Sequence, residues 1–367
     1  MKHRSTALTF LAALLVVASV AGTAFPQDAT DTLPAHPRFA RLTPHLNNDV
    51  GTPATPLTTW NGSFVYLGHT YTYNMVGTAP STGTSTTVPT FLIPIALTYT
   101  SGGTTTTFSP LTVQSNGRSA ALNTVDSPIF QNMDWIAGDG VTDLGTTQYE
   151  DAFQRGNFWG TVSSAPGYHV LLGRPRVAPL QTIAVPAADG SIGTEFGVKV
   201  GLADINWFDG QIQAIMRRVA AIQPNTLPIF MTYNVYLTEG GCCIGGYHSA
   251  FGSAAAPQAY SHFTYIGTPG AFSQDVGALS HEVGEWMDDP LVVNNGNAVK
   301  CGILEVGDPE EVFANFGDFP YTLNGFTYNL QDLTYLEYFG APTTTSVGGE
   351  LTFHNNPFHL TVCSQGG

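Results

Sequence analysis

The chain has 367 residues, a formal net charge of −15 and only 12 Lys and Arg. This acidic excess argues against nucleic acid or an anionic membrane surface as a partner, because both attract basic proteins. Hydrophobic residues make up 43% of the chain, which is enough to build a core, so the composition also argues against a disordered protein.

The N-terminus has the pattern of a secretory signal peptide. Lys2 and Arg4 precede an apolar run over residues 7–20, and small residues follow, with possible cleavage after Ala21 or Ala24. The run is too short for a comfortable membrane span, and no later stretch approaches about 18 apolar residues. We therefore predict a signal peptide over residues 1–24, with a signal anchor as the alternative. The mature protein is expected to be secreted, extracellular or periplasmic, and free of the membrane once the signal is cleaved.

The rest of the chain is predicted to form a leader followed by one large domain or two closely packed lobes. Residues 25–58 are rich in Pro, Thr, Asp and Asn and indicate an extended leader or linker. The domain then covers 59–367, with a β-rich part over 59–200 and a motif-bearing part over 201–367. Strands are predicted from alternating and β-branched patterns at 63–67, 70–75, 88–100, 168–172, 181–185, 229–237 and 259–266.

Two helices are predicted in the motif-bearing part. Apolar residues recur at helical spacing between Asp204 and Ala221, which favours an amphipathic helix packed on a sheet. The second helix is expected to begin after Ser273 or Asp275, either of which could cap it, and to end near Asp288. The following Asp-Pro pair ends a helix because proline disfavours helical geometry in the residue before it.

The four cysteines all lie in the last third of the chain. In an oxidising compartment an even number favours two disulfides. Because adjacent cysteines rarely pair, Cys242 and Cys243 are expected to reach Cys301 and Cys363, in either order. A cysteine metal site is the alternative, although the chain lacks the Cys-x-x-Cys pair typical of one.

The second predicted helix carries the motif His-Glu-x-x-Glu. Residues four apart share a helix face, so His281 and Glu285 could hold one cation while Glu282, rotated aside, stays available. After the Asp-Pro turn, Glu305 opens a Glu-Val-Gly-Asp segment and could return to the same cation. The sequence therefore predicts a metal centre with the ligands His281, Glu285 and Glu305.

These segments resemble two groups of zincin-like proteins. The spacing from Glu285 to Glu305 is similar to that in gluzincin metallopeptidases of the thermolysin type, although their motif has a second His where this chain has Glu285. The pattern also resembles the secreted phosphate-induced (EXORDIUM-like) family and related bacterial proteins, in which a Cys-rich loop ending in an aromatic-His pair, here Tyr247-His248, precedes the helix. The resemblance covers about residues 200–363. It implies an α+β fold in which a twisted sheet packs on the metal-binding helix.

The chemistry of such a site assigns roles to its residues. Zn²⁺ is the expected ion, and Mn²⁺ or Ca²⁺ are alternatives because two carboxylate ligands favour harder cations. Glu282 would act as general base for the attacking water, and Asp308 would accept from the free ring nitrogen of a ligand His. Tyr247 or His248 could stabilise the developing oxyanion, although a His beside a disulfide loop is as often a structural hydrogen-bonding residue.

The leading hypothesis is a secreted metal-dependent peptidase with a peptide or protein substrate. The alternative is a non-catalytic extracellular or cell-wall-associated protein that keeps a zincin fold and a structural metal. A metal-dependent hydrolase with another substrate is a further possibility. An open position beside Glu282 would favour catalysis, whereas a buried, fully coordinated ion would favour the structural role.

Overall fold

The computed structural model describes residues 37–47, 54–294, 304–311 and 313–355. The predicted signal peptide at 1–24, about half of the predicted leader at 25–58, Cys301 and Cys363 lie outside these ranges, so the structure does not describe them. Within them no helix is long and apolar enough to cross a membrane.

Strands dominate the described residues. In chain order they are β1 (Arg38–Arg41), β2 (His45–Asn47), β3 (Thr59–Tyr66), β4 (His69–Val76), β5 (Ser85–Val88), β6 (Thr90–Ser101), β7 (Thr104–Phe108), β8 (Met133–Ile136), β9 (Asp143–Thr147), β10 (His169–Leu172), β11 (Arg176–Val177), β12 (Gln181–Ala184), β13 (Gly190–Glu195), β14 (Val198–Asp204), β15 (Leu227–Tyr233), β16 (Val235–Thr238), β17 (Cys242–Ser253), β18 (Gln258–Tyr265), β19 (Asp318–Leu323) and β20 (Phe326–Gln331).

The helices are short. The α-helices are α1 (Ala120–Val125), α2 (Tyr149–Asn157), α3 (Trp159–Val162), α4 (Ile205–Met216) and α5 (Gly277–Asp288), and 3₁₀ turns occupy Pro80–Thr82, Asp308–Glu310, Leu336–Phe339 and Val347–Gly349.

One large mixed sheet organises the fold. Twelve strands belong to it, in the order β11-β6-β15-β18-β17-β16-β14-β13, with β7 and β12 also pairing β6 and with β1 and β2 pairing β17. The sheet curls into a half-barrel. Four separate two-stranded pairs flank it: β3-β4, β5-β10, β8-β9 and β19-β20.

The predicted α+β, zincin-like fold class is wrong. Strand accounts for 41% and helix for 19% of the structure, so the protein is mostly β. The motif-bearing part explains the difference, because beyond residue 201 it forms six further strands, β15–β20, and only two α-helices. The motif helix is therefore packed among the strands of a mostly β fold.

Both predicted helices occur, with shifted ends. Helix α4 begins after Asp204, whose side chain accepts a hydrogen bond from the Trp207 N–H, as expected for an N-cap. Helix α5 begins later than predicted, because Ser273 and Asp275 have positive φ angles of 59° and 41° that a helix cannot contain. It ends at Asp288, directly before the Asp-Pro pair.

The leader contributes to the sheet within its described part. β1 and β2, both inside the segment predicted as an extended leader at 25–58, run parallel to β17. This pairing was not anticipated, because a three- or four-residue strand has too little pattern to be recognised in sequence.

Two apolar clusters lie on the two faces of the sheet. α4 packs into one of them together with Tyr247, Tyr260 and Phe230. α5 packs into the other, against β17, β18 and β20, and every one of its residues is buried. A helix that is buried on every side has no solvent face, so the polar side chains of its motif must find partners inside the protein.

Candidate metal centre

The hydrogen bonds of Gln331 fix the imidazole of His281 in one tautomer. The Gln331 amide nitrogen donates to the carbonyl oxygens of Gly307 at 3.3 Å and Phe316 at 2.9 Å, so its Oε1 is left to accept. That Oε1 lies 2.5 Å from His281 Nδ1, which therefore carries the proton. In the neutral ring, Nε2 therefore carries no proton and presents a lone pair.

This lone pair points at a carboxylate. His281 Nε2 lies 3.0 Å from Glu285 Oε1, its partner four residues on, and both side chains are almost wholly buried. Nε2 makes no hydrogen bond. Two electron-rich atoms this close repel each other unless a proton or a cation lies between them. The contact therefore has the geometry of two ligands that could bind one cation.

Further carboxylates meet at Glu285. Ligand oxygens of Glu285, Glu305 and Asp308 lie within 4.8 Å of one another, and so do ligand atoms of His281, Asp308 and Glu311. The backbone N–H groups of Gly307 and Asp308 donate to Glu285 Oε1 at 3.2 and 3.3 Å. Glu285 therefore lies near each of the other two predicted ligands, but among the described residues His281 and Glu305 do not share a group whose ligand atoms all lie within 4.8 Å.

A second imidazole reaches Glu285 from the sheet. His248 of β17 lies with Nε2 3.2 Å from the Asp289 carbonyl oxygen, which can only accept, so Nε2 carries a proton. Its Nδ1 lies 3.3 Å from Glu282 Oε2 and 3.6 Å from Glu285 Oε2. The helix motif contains only one His, and β17 brings a second imidazole, that of His248, next to it.

Burial sets the protonation of the cluster. Desolvation lowers the pKa of His281 to about 4, although Glu311 and the Gln331 hydrogen bond act in the opposite direction. Desolvation raises the pKa of Glu282 and that of Asp308 well above their usual range, and Glu285, Glu305 and Glu311 raise both further. Carboxylates that disfavour one another's charge in this way are stabilised together by a divalent cation.

Two glycines make room for the cluster. A Cβ on Gly246 would lie 2.8 Å from Glu282 Oε1, and a Cβ on Gly307 would lie 2.3 Å from His281 Nδ1. A side chain at Gly246 would displace the Glu282 carboxyl group, and one at Gly307 would displace the His281 imidazole. The absence of a Cβ at both glycines therefore lets the backbone lie directly against Glu282 and His281.

The donor set fits a divalent cation. Imidazole nitrogens and carboxylate oxygens suit Zn²⁺, and the number of carboxylates keeps Mn²⁺ or Ca²⁺ as alternatives. Glu285, Glu305 and Asp308, or His281, Asp308 and Glu311, could supply ligands to one ion. The set His281, Glu285 and Glu305 stays a prediction. Glu282 Oε1 is buried and makes no hydrogen bond, and an oxygen of Glu282 lies within 4.8 Å of ligand atoms of His248 and Glu285, so Glu282 is itself close enough to contribute to the cluster.

Asp308 and Tyr247 do not take their predicted roles. The closest approach of Asp308 to a ligand His is to Nε2 of His281, at 3.7 Å, and Gln331 instead accepts from the free ring nitrogen. Tyr247 points to the opposite face of the sheet, where its hydroxyl donates to Asp209 Oδ1 at 3.0 Å. Neighbouring residues of a strand face opposite ways, so His248 and Tyr247 could not both reach the cluster.

The predicted cysteine pairing also differs from the structure. Cys242 and Cys243 are joined to each other by a disulfide, whereas the predicted partners Cys301 and Cys363 lie outside the described residues. The prediction assumed that adjacent cysteines rarely form a disulfide with each other, and the first two residues of β17 do form one.

A polar cleft lies at the other end of α5. It has a volume of about 530 Å³ and is lined by residues from the 114–116 loop, the 265–275 segment and the β19-β20 hairpin, among them Asp275 and Asn329. None of the cluster residues lines this cleft. It therefore gives the cluster no open position.

Comparison of the chain with protein-family models, with curated proteins and with solved structures finds no match. The function has to be argued from the geometry of the cluster.

Proposed function

We propose that the protein is a secreted, metal-dependent peptidase whose ion is held by His281, Glu285 and Glu305. The observation that carries the proposal is the lone pair of His281 Nε2, fixed by Gln331 and aimed at Glu285 from 3.0 Å inside a buried carboxylate cluster. A bound divalent ion would supply Lewis-acid chemistry, polarising the scissile carbonyl and acidifying water.

Glu282 is the residue placed to move the proton. Its Oε1 makes no hydrogen bond and would take the proton of the attacking water, then pass it to the leaving amine nitrogen. Oε2 lies 3.3 Å from His248 Nδ1, so the imidazole packs against the carboxyl group. The raised pKa of the Glu282 carboxyl, caused first by burial, moves it towards the range in which a carboxylate can both accept and return a proton.

The structural alternative is favoured by one observation. His281 and Glu282 are completely buried, and Glu285 and Glu305 nearly so, which is the setting of an ion that stabilises the fold. In that case the protein is a non-catalytic extracellular or cell-wall-associated protein, and Glu282 contributes only packing and hydrogen bonding.

The variant Glu282→Gln separates the two proposals. A catalytic role predicts nearly unchanged metal content and melting temperature, with hydrolysis of a peptide library reduced by about 10²- to 10⁴-fold. Glu150→Gln is the matched control, because Glu150 is equally buried but lies in α2, outside the cluster. Equal turnover by wild type and Glu282→Gln would remove Glu282 from the mechanism. No turnover by a metal-loaded wild type would support the structural alternative.

A further inference from the structure

The N-terminal segment, residues 37–47, lies along the strand that carries His248. Its first strand runs parallel to β17, with Arg38 opposite Ile244 and Ala40 opposite Tyr247. Its second strand pairs further along, with His45 opposite Phe251. β17 has β18 on its other side, while β16 pairs it only at Cys242 and Ile244. The N-terminal segment therefore occupies a strand edge that the rest of the sheet leaves available.

Phe39 brings this segment into contact with the cluster. Its backbone N–H donates to Glu311 Oε1 at 2.5 Å. Its ring centroid lies 3.9 Å from that of the His281 imidazole and 4.9 Å from that of Phe272. Only 4% of Phe39 is exposed, so its side chain covers His281 and shares its apolar surroundings.

A bulge in β17 receives the Phe39 side chain. The pairing of β1 shifts between Arg38 and Ala40, so that Gly245 and Gly246 both lie opposite Phe39. A Cβ on Gly245 would be 2.8 Å from the Phe39 ring, so any side chain there would close the recess. Bulges of this kind occur beside active sites, where they redirect the strand and its side chains.

We propose that this edge of β17 is a docking site for an extended peptide with an aromatic side chain in the Gly245 recess, and that residues 37–47 occupy it in cis. A strand edge can bind peptide main chain by adding a strand, as β1 and β2 do here, and the recess supplies side-chain selectivity. The proposal rests on the proposed peptidase function, because a peptide docked here places its aromatic residue against the ligand His281.

The charge of the segment fits this arrangement. Residues 38 and 41 are two of only 12 basic residues in a chain of net charge −15, and Arg38 pairs with Glu239 at 2.9 Å. Because the segment is tethered to the domain, its effective concentration at the edge is high, and a free peptide must compete with it. Residues 37–47 contribute to the burial of the cluster through the Phe39 ring on His281 and the Phe39 N–H on Glu311.

The experiment measures binding of a fluorescent peptide with the sequence of residues 35–47 to the full-length protein. Phe39→Ala in the protein weakens the tethered competitor, so the free peptide is expected to bind this variant about tenfold or more tighter than wild type. Phe39→Leu should give an intermediate gain. Leu46→Ala is the matched control, because Leu46 lies in the same segment but is 38% exposed and on β2.

Equal affinity for wild type and Phe39→Ala would overturn the proposal, and so would an equal gain in Leu46→Ala, which would indicate general loosening of the sheet. Should Phe39→Ala fail to fold, the comparison of Phe39→Leu with Leu46→Ala decides. Hydrolysis is scored separately. Tighter peptide binding without turnover keeps the docking edge and contradicts the peptidase, whereas turnover without tighter binding contradicts the docking edge.

Discussion

Replacing Gln331 by Leu is expected to weaken metal binding without touching a metal ligand. Gln331 Oε1 is the acceptor that holds the proton of His281 on Nδ1 and leaves Nε2 as a lone pair. Loss of such a partner typically costs 10- to 100-fold in metal affinity, which is about 1.4–2.7 kcal/mol. The apo protein should also lose stability, by roughly 1–3 kcal/mol for each of the two carbonyls that Gln331 serves.

The measurement is a competition titration of Zn²⁺ between the protein and a chromophoric chelator, together with urea unfolding of the apo protein. Gln258→Leu is the control, since buried Gln258 donates to the carbonyls of Thr226 and Ala259 at 3.0 and 2.7 Å but lies on β18, away from His281. It should cost similar stability and leave the metal affinity unchanged. Gln331→Glu can still accept from Nδ1 and should retain more affinity than Gln331→Leu. Wild-type affinity in Gln331→Leu, or an equal loss in Gln258→Leu, would refute the tautomer argument.

Three further predictions test other parts of the account. Gly307→Ala should displace the His281 ring, because the new Cβ would lie 2.3 Å from it, and should weaken metal binding in the same titration. Gly325→Ala is the control: its Cβ would meet open space, but its positive φ is strained for alanine, so only stability should fall. Burial raises the pKa of Asp275 to about 7, so the folded state holds its proton longer than the unfolded chain and stability falls as the pH rises from about 4 to about 7. Asp275→Asn should therefore gain stability relative to wild type over that window in urea unfolding, and a constant difference would contradict this. Peptide mapping without reduction should place Cys242 and Cys243 in one fragment with an internal disulfide, and a cross-link from either to Cys301 or Cys363 would contradict it.

Local patterns predicted the parts of the site that are close in sequence. The spacing of His281 and Glu285 follows from helical geometry alone, and the Asp-Pro pair marks where α5 ends. Asp204 was recognisable as the start of the amphipathic α4 for the same reason. Each of these features depends on residues within one turn of a helix.

The missed parts depend on contacts between distant segments. Gln331 lies 50 residues from His281, and no spacing rule links a glutamine at the end of a strand to a helix motif. His248 was singled out in sequence, but its approach to Glu285 depends on how β17 packs against α5. Phe39 had no signal at all, because its contact with His281 arises from a short strand added to a bulge.

The error in fold class has a related origin. A helix carrying a metal motif indicates the local structure of that helix but not the layer it packs on. α5 packs against β4, β17, β18 and β20, and the sheet joins late strands to strands from far earlier in the chain, such as β15 to β6. Sheet order is a long-range property that a single sequence does not display.

The most direct test of the metal centre is elemental analysis of the full-length protein after reconstitution, compared with Glu285→Gln. Glu285 is the residue shared by the predicted ligands, at 3.0 Å from His281 Nε2 and within 4.8 Å of the nearest oxygens of Glu305 and Asp308. We predict one tightly held equivalent of a divalent ion, Zn²⁺ first, in the wild type, and loss of stoichiometric binding in a folded Glu285→Gln. A folded wild type that binds no divalent ion, or a Glu285→Gln variant that keeps the full equivalent, would contradict the account.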